Sequence, residues 1–234
     1  MALPFFYEEN LSSQSTFILS EDTSRHIIQV LRMQKGERLK MTNGKGQVLT
    51  SQIVYENKKA TEVKVLATEI QEPPTKKITI AISLIKNNSR LEWFLEKATE
   101  IGVSEIIPML CDRTEKQHFR YDRLRNILIS AMLQSQQSWL PLLHPITVFK
   151  EIAEIRKNAQ KFIAHCNEDN KKLLMDEMDN SEDSTIILIG PEGDFTKSEI
   201  DIAHQNNFIS VSLGTTRLRT ETAGIAAAVI LNMT

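Results

Sequence analysis

Two residues near the end of this 234-residue chain carry the sharpest chemical suggestion: Arg219 and Glu221, two positions apart and just ahead of an Ala-rich run. A guanidinium stays protonated at ordinary pH, so Arg219 cannot act as a base. It can stabilise a developing anion or hold a phosphate through a bidentate contact. Glu221 could orient that guanidinium or take a proton itself. The competing reading is an exposed Arg–Glu pair, which is worth little. A second candidate lies upstream in Gly190-Pro191-Glu192-Gly193. Glu192 could hold an amino group of a ligand or the N–H groups of its own loop. It could also do no more than favour the helix N-terminus that follows, worth roughly 0.3–1 kcal/mol.

These residues are positioned by two successive strand–loop–helix units. Residues 186–189 read as an apolar strand that runs into the Gly-Pro-Glu-Gly turn, and a helix starts near Thr196. Thr196 with Glu199 three residues on makes a capping box. Residues 208–213 read as a second strand that reaches Gly214; a polar loop, 215–219, follows, and a helix starts at about Thr220. In open α/β sheets ligands bind beyond the carboxyl ends of strands. The Gly-Pro-Glu-Gly turn is not a phosphate cradle, because it lacks the Lys-Ser/Thr of a P-loop and the three glycines of a dinucleotide fold. A proline and a carboxylate stand where a phosphate would need free N–H groups. A neutral or cationic ligand fits better, such as an adenosine carrying an amino-acid tail.

The rest of the sequence bounds this reading. Hydrophobic residues make up 41% and charged residues 25%, the usual mixture for a soluble globular protein. No apolar run approaches the roughly 20 residues of a membrane helix, and the start of the chain lacks the basic region of a signal peptide. Cys111 and Cys166 stand alone, as buried free thiols would, so the expected location is the cytoplasm. The five histidines show no ligand spacing, so no metal is expected. Ser135 and Ser212 show no triad pattern. The net charge of −2 hides an uneven distribution. Six basic residues between Arg25 and Lys45 face one acid, Glu37, and five between Arg113 and Arg125 face two. Residues 168–183 hold seven acids and two lysines. Such basic stretches are either solvated faces or an electrostatic footprint for nucleic acid.

Taken in order, residues 1–72 alternate short β-like runs (16–19, 38–41, 47–55 and 61–70) with turns at Asn43-Gly44 and 56–58. One helix, about 21–33, would place Ile27, Ile28 and Leu31 on one face. A small β-barrel with one helix fits. Pro73-Pro74 reads as a linker, and a second domain spans 76–234. There, strands at 78–85, 105–110, 147–149 and 162–166 alternate with helices capped at Asn88-Ser89 and near 121–137, 150–157 and 170–175. This alternation indicates an α/β domain with a mainly parallel sheet.

Together these blocks resemble the SPOUT superfamily of methyltransferases, and within it the family that methylates N3 of one uridine in 16S ribosomal RNA of the small subunit. That family's pattern is GPEGGF, SLG and LRTETA. Here it reads Gly190-Pro191-Glu192-Gly193-Asp194-Phe195, Ser212-Leu213-Gly214 and Leu218-Arg219-Thr220-Glu221-Thr222-Ala223. Asp194 departs from it, a second glycine being commoner. The segment that begins with Leu84-Ile85-Lys86, the segment 106–113, and the string from His26 to Arg32 with Lys35-Gly36-Glu37-Arg38 match further blocks. Gln134-Ser135-Gln136-Gln137 keeps only the Gln-Ser of a block written EQ-S/C-x-R.

The resemblance implies an α/β domain with a C-terminal trefoil knot, preceded by a small PUA-like β-barrel that binds RNA. It implies S-adenosylmethionine as cofactor, held by Ile189, Gly190, Glu192, Gly193, Leu213, Gly214, Leu218, Thr220, Thr222 and Ala223, with His165 lining the same pocket. Arg219 and Glu221 would be catalytic, since methylating uracil N3 requires an imide proton to leave and charge on O2 and O4 to be stabilised. Arg25, Arg32, Lys35, Arg38, Lys86 and Arg113 would contact RNA phosphates. A homodimer acting on the small ribosomal subunit is implied. Two other readings remain open: a non-catalytic RNA-binding assembly factor on the same fold, and a transfer RNA methyltransferase.

Overall fold

The structure is a computed structural model that describes residues 3–12, 14–155, 159–166, 171–179 and 181–233. The chain forms two compact units, Met1–Pro73 with Met132–Leu140, and Pro74–Ala131 with Pro141–Thr234.

The first unit holds a curled five-stranded sheet. In chain order its strands are β1 (Phe5–Tyr7), β2 (Thr16–Ile18), β3 (Arg38–Thr42), β4 (Gln47–Tyr55) and β5 (Glu62–Ile70); in space the order is β1-β3-β4-β5-β2. β1, which the sequence pattern did not single out, runs parallel to β3; the other pairs are antiparallel. The sheet covers a core that includes Phe6, Leu39, Met41, Leu49, Ile53 and Val63. The expected helix over 21–33 is shorter and breaks its period. It consists of α1 (Glu21–Arg25), capped by the Ser20 hydroxyl, and a π-helical turn, His26–Val30. The Leu31 N–H reaches back five residues to the His26 carbonyl, and the Met33 N–H six residues to that of Ile27. The wider turn buries Ile27 and Met33 and leaves Leu31, expected inside, 45% exposed. The β-branched run Ile27-Ile28 disfavours a regular helix at this point.

Residues 132–140 belong to this unit through specific bonds. The Thr42 hydroxyl donates to the Ser138 carbonyl (3.2 Å), and the Leu140 N–H to the Gly44 carbonyl (2.9 Å). The Trp139 indole donates to the carbonyls of Gln71 and Glu72. Gly46 is required beneath that ring, at φ +85°, because a Cβ would lie 2.5 Å from Trp139.

The second unit is built on a parallel sheet. Its strands are β6 (Lys77–Ser83), β7 (Glu105–Leu110), β8 (Leu142–Leu143), β9 (Thr147–Val148), β10 (Gln160–Ala164), β11 (Lys172–Leu173), β12 (Ser184–Ile189) and β13 (Ile209–Ser212). The spatial order is β11-β13-β10-β12-β6-β7-β8, with β9 also against β7. Past their first residues, the central strands β6 and β12 are buried without alternation, as strands covered on both faces must be. The helices are α2 (Asn88–Ile101), α3 (Tyr121–Gln134, whose residues from Met132 on count with the first unit), α4 (Phe149–Ile155), α5 (Leu174–Glu177), α6 (Lys197–Gln205) and α7 (Thr220–Asn232). α4 and α6 bury Phe149, Ile152, Ile200 and Ala203 against Ala81, Ile107, Ile163 and Leu188. α7 covers the other face, against β6, β12 and α2. It approaches closely through Gly224, where a Cβ would lie 2.6 Å from the Phe94 ring.

Local expectations shift in detail. The α2 cap is Asn87, whose side chain accepts from the Ser89 N–H (2.9 Å), one residue before the expected pair. The helix ends at Gly102 with φ +100°, a left-handed conformation that glycine adopts without strain. The expected helix at 170–175 is instead a strand, β11, joined to the single turn of α5; Asn170 lies outside the described residues. The expected helix at 150–157 is α4, and residues 156 and 157 lie outside the described residues.

Candidate active site

A cleft of about 690 Å³ opens where β10, β12 and β13 end, walled by the two loops singled out in the sequence. The capping box is present: the Thr196 hydroxyl accepts from the Glu199 N–H, and the Glu199 carboxylate accepts from the Thr196 N–H (2.7 Å). The other Glu199 oxygen accepts from the Asp112 N–H (2.9 Å), which ties the segment after β7 to the start of α6. The two walls are joined by Thr220, a buried residue whose hydroxyl donates to the Gly190 carbonyl (3.0 Å).

The structure brings most of the sequence candidates together. His165, Ile189, Gly190, Glu192, Leu213, Gly214, Leu218, Arg219, Thr220 and Ala223 line the cleft. Gly193, Thr222 and Glu221 do not. The Gly193 carbonyl accepts from the Arg113 guanidinium (2.7 Å), and Thr222 is exposed. Glu221 is buried, with a carboxylate oxygen 3.6 Å from Nε of Arg90. Arg219 is the N-cap residue of α7 and is exposed at the cleft; its guanidinium has no hydrogen-bond or ion-pair partner among the described residues. Glu192 serves neighbouring backbone: its carboxylate accepts from the Lys86 N–H (3.3 Å).

The candidate RNA contacts fall into two groups. Arg25, Arg32, Lys35 and Arg38 are exposed on the first unit, with Arg25 paired to Glu21 at 2.7 Å. In the second unit Lys86 is paired with Glu115 (2.8 Å) and Arg113 with the Gly193 carbonyl. Much of the basic run 113–125 is similarly committed within its unit, Lys116 to the Asn88 side chain and Arg123 to Glu92 (2.7 Å).

Several lining residues were not singled out in the sequence. Arg90, Cys166, Lys171 and Arg217 carry side chains whose approach to the cleft depends on the fold. Asp194 replaces a commoner glycine and adopts φ +63°, a region Asp tolerates through local hydrogen bonding. Its carboxylate accepts from the Phe195 N–H (2.9 Å) and from the Cys166 N–H (2.8 Å), joining the loops after β12 and β10. His165 is buried, with Nε2 2.8 Å from the Ser210 hydroxyl. Of the two thiols, Cys166 is exposed at the cleft. Cys111 is buried, and burial together with the Glu199 carboxylate pushes its thiol well above the usual range.

The arrangement offers a ligand glycine-lined backbone, apolar walls, two carboxylates and four cationic side chains, Arg90, Lys171, Arg217 and Arg219. Comparison with known proteins gives the lineage. The RNA methyltransferase domain family matches residues 71–232, more than half of the chain. The chain belongs to this family. The RNA methyltransferase PUA domain family matches residues 19–66 of the same chain.

This family member is 29% identical over 226 residues to a Ribosomal RNA small subunit methyltransferase E from Rickettsia conorii, covering 95% of this chain and 91% of that one. A probable rRNA-methyltransferase from Porphyromonas gingivalis has a crystal structure that superposes with TM-score 0.89 at 36% identity, over 97% of this chain and 95% of that one. The Ribosomal RNA small subunit methyltransferase E of Neisseria gonorrhoeae, solved bound to S-adenosyl methionine, superposes with TM-score 0.86 at 29% identity, over 97% and 95%.

Proposed function

We propose that this chain transfers the methyl group of S-adenosylmethionine to N3 of one uridine in 16S ribosomal RNA of the small subunit. The observation that carries the reading is the cleft at the ends of β10, β12 and β13, with the unpaired Arg219 guanidinium at its edge. The residues suit the cofactor. Ile189, Val211, Leu213 and Leu218 offer apolar contact to an adenine, and the loop backbone offers N–H and C=O groups to its edge. Gly214, at φ +139°, leaves open space where a side chain would otherwise project. Glu192 and Asp194 set two carboxylates, both already bonded to backbone N–H groups, among four cationic side chains, Arg90, Lys171, Arg217 and Arg219. When bound, the cofactor supplies a methyl group already activated by a sulfonium leaving group.

The chain's own residues then have two tasks, alignment and charge stabilisation. The N3–H bond of uracil breaks, its proton passing to solvent, and the charge left on the ring spreads to O2 and O4. Arg219 stabilises that charge electrostatically. The N3 electron pair forms the new bond to the methyl carbon as the carbon–sulfur pair returns to sulfur. The PUA unit docks the RNA, with Arg32, Lys35 and Arg38 as exposed phosphate contacts and Arg25 shared with Glu21. Lys86 and Arg113 would join them near the cleft, from side chains that also brace its rim. We read the domains as 1–72 and 76–234, with residues 132–140 tied to the first. A C-terminal trefoil knot is part of the proposal, in keeping with the resemblance; α7 follows β13 and packs against α2, β6 and β12. A small PUA-like β-barrel, a homodimer and a cytoplasmic location complete the proposal.

The test is a calorimetric titration with S-adenosylmethionine, followed by turnover of Arg219→Ala. Saturable one-to-one binding is expected. The variant should keep its cofactor affinity and lose most of its turnover, about a hundredfold. Full turnover by the variant would remove Arg219 from the mechanism, and absence of binding would remove the proposal.

A further inference from the structure

Arg90 reaches the cleft from an element outside both loop motifs. It is the third residue of α2, its side chain is 40% exposed, and it lines the cleft. Its Nε lies 3.6 Å from a carboxylate oxygen of Glu221, whose side chain is 8% exposed and does not line the cleft. The two terminal nitrogens of this planar fork have no partner among the described residues and remain available for a planar acceptor.

The placement favours an anion; among the described residues Glu221 supplies one to Arg90, and none is paired with Arg219. Arg90 sits in the first turn of α2 and Arg219 at the N-cap of α7, where each helix dipole opposes a cation and favours negative charge. The two helices pack against one another. One three-residue stretch, Arg219-Thr220-Glu221, therefore supplies one cleft guanidinium and the anchor of the other. The remaining cleft charges do not neutralise them. Lys171 and Arg217 add positive charge; Glu192 is bonded to the Lys86 N–H, and Asp194 to the Phe195 and Cys166 N–H groups.

We infer that Arg90 is a second catalytic cation for the reacting uracil and that Glu221 is the positioning residue that sets it. The inference rests on the uracil-N3 reading above. When the N3–H bond breaks and the proton leaves to solvent, the ring charge resides on two carbonyl oxygens, O2 and O4. Two guanidiniums at one cleft offer a donor set for each, and the N3 pair remains free to take the methyl carbon as the carbon–sulfur bond breaks toward sulfur. Glu221 is thus neither the base nor a partner of Arg219; it holds the Nε side of Arg90 and turns the terminal nitrogens to the base.

The experiment is single-turnover methyl transfer from S-adenosylmethionine to small ribosomal subunits lacking the modification, with both saturating, from neutral to alkaline pH. Cofactor affinity and thermal midpoint are measured beside it. A cation near the ring favours the N3 anion and lowers the pH at which the rate levels off. Arg90→Ala is expected to hold cofactor affinity within about twofold and to slow transfer about ten- to hundredfold at neutral pH. Its deficit should shrink as the pH rises, the levelling-off having moved to higher pH. Arg90→Lys should recover part of the rate. Glu221→Gln should show a smaller loss of the same shape, and the double variant should be no slower than Arg90→Ala.

An unmoved pH profile would overturn the inference. So would a loss that vanishes at saturating subunit, the mark of a phosphate contact, or one that follows a fall in cofactor affinity and thermal midpoint, the mark of a structural role. If Arg90→Ala does not fold, the lysine and glutamine variants carry the same comparison. A wild type that leaves uracil N3 unmethylated would sink the underlying reading first, and this inference with it.

Discussion

Asp194 stands where a glycine would meet the backbone demand with no strain, and it accepts a left-handed conformation in order to place a carboxylate. That carboxylate holds the Phe195 and Cys166 N–H groups and so fixes the loop after β10 against the loop after β12. Asp194→Ala keeps the strained φ and loses both bonds, each worth roughly 1.5–3 kcal/mol to a charged acceptor. Part of that loss should reach the ligand, so S-adenosylmethionine affinity is expected to fall about tenfold by calorimetry, with Asp194→Asn recovering part of it. Unchanged affinity in the alanine variant would show that the two loops keep their places without this link. The residue types of the loop motifs were legible in the sequence because backbone recognition needs glycines and apolar strand ends at fixed places. Arg90 was not, because its approach depends on how α2 lies against α7. Glu221 stood out in the sequence as a carboxylate close to Arg219 but not as a partner of Arg90, since that pairing depends on how α2 lies against α7.

At the scale of elements, the capping box at Thr196 and the Gly102 stop of α2 could be read directly, because each depends on residues within one turn. The π-helical turn at His26–Val30 could not, because apolar residues at helical spacing cannot tell a regular turn from a widened one. The seam between α2 and α7 was also hidden. Gly224 reads as one more small residue in an Ala-rich helix, yet it admits the Phe94 ring, with Ile82 close behind. Gly224→Ala gains helix propensity but forces that ring to shift, and overpacking of this kind costs typically 1–3 kcal/mol. The expected outcome is a urea midpoint lowered at unchanged slope. A variant as stable as the wild type would mean that Phe94 repacks freely and that the seam does not fix the start of α7, which carries Arg219.

The whole molecule joins a β unit and an α/β unit along one chain, and the two could be told apart by the change from period-two runs to alternating strands and helices. The placement of residues 132–140 with the first unit was invisible to that reading, because the bonds that fix Ser138, Trp139 and Leu140 come from residues some 70 to 100 positions away. The same segment carries the departure at Gln134-Ser135-Gln136-Gln137. A formal charge of −2 likewise hides the exposed basic side chains of Arg32, Lys35 and Arg38 on the first unit. The central claim, methyl transfer to uracil N3 of 16S ribosomal RNA, is tested most directly by supplying labelled S-adenosylmethionine and small ribosomal subunits from cells lacking this chain, then analysing the nucleosides. The account predicts label in 3-methyluridine, recovered from 16S RNA alone. Label in another nucleoside or in transfer RNA, or bound cofactor with no transfer to any RNA, would contradict it.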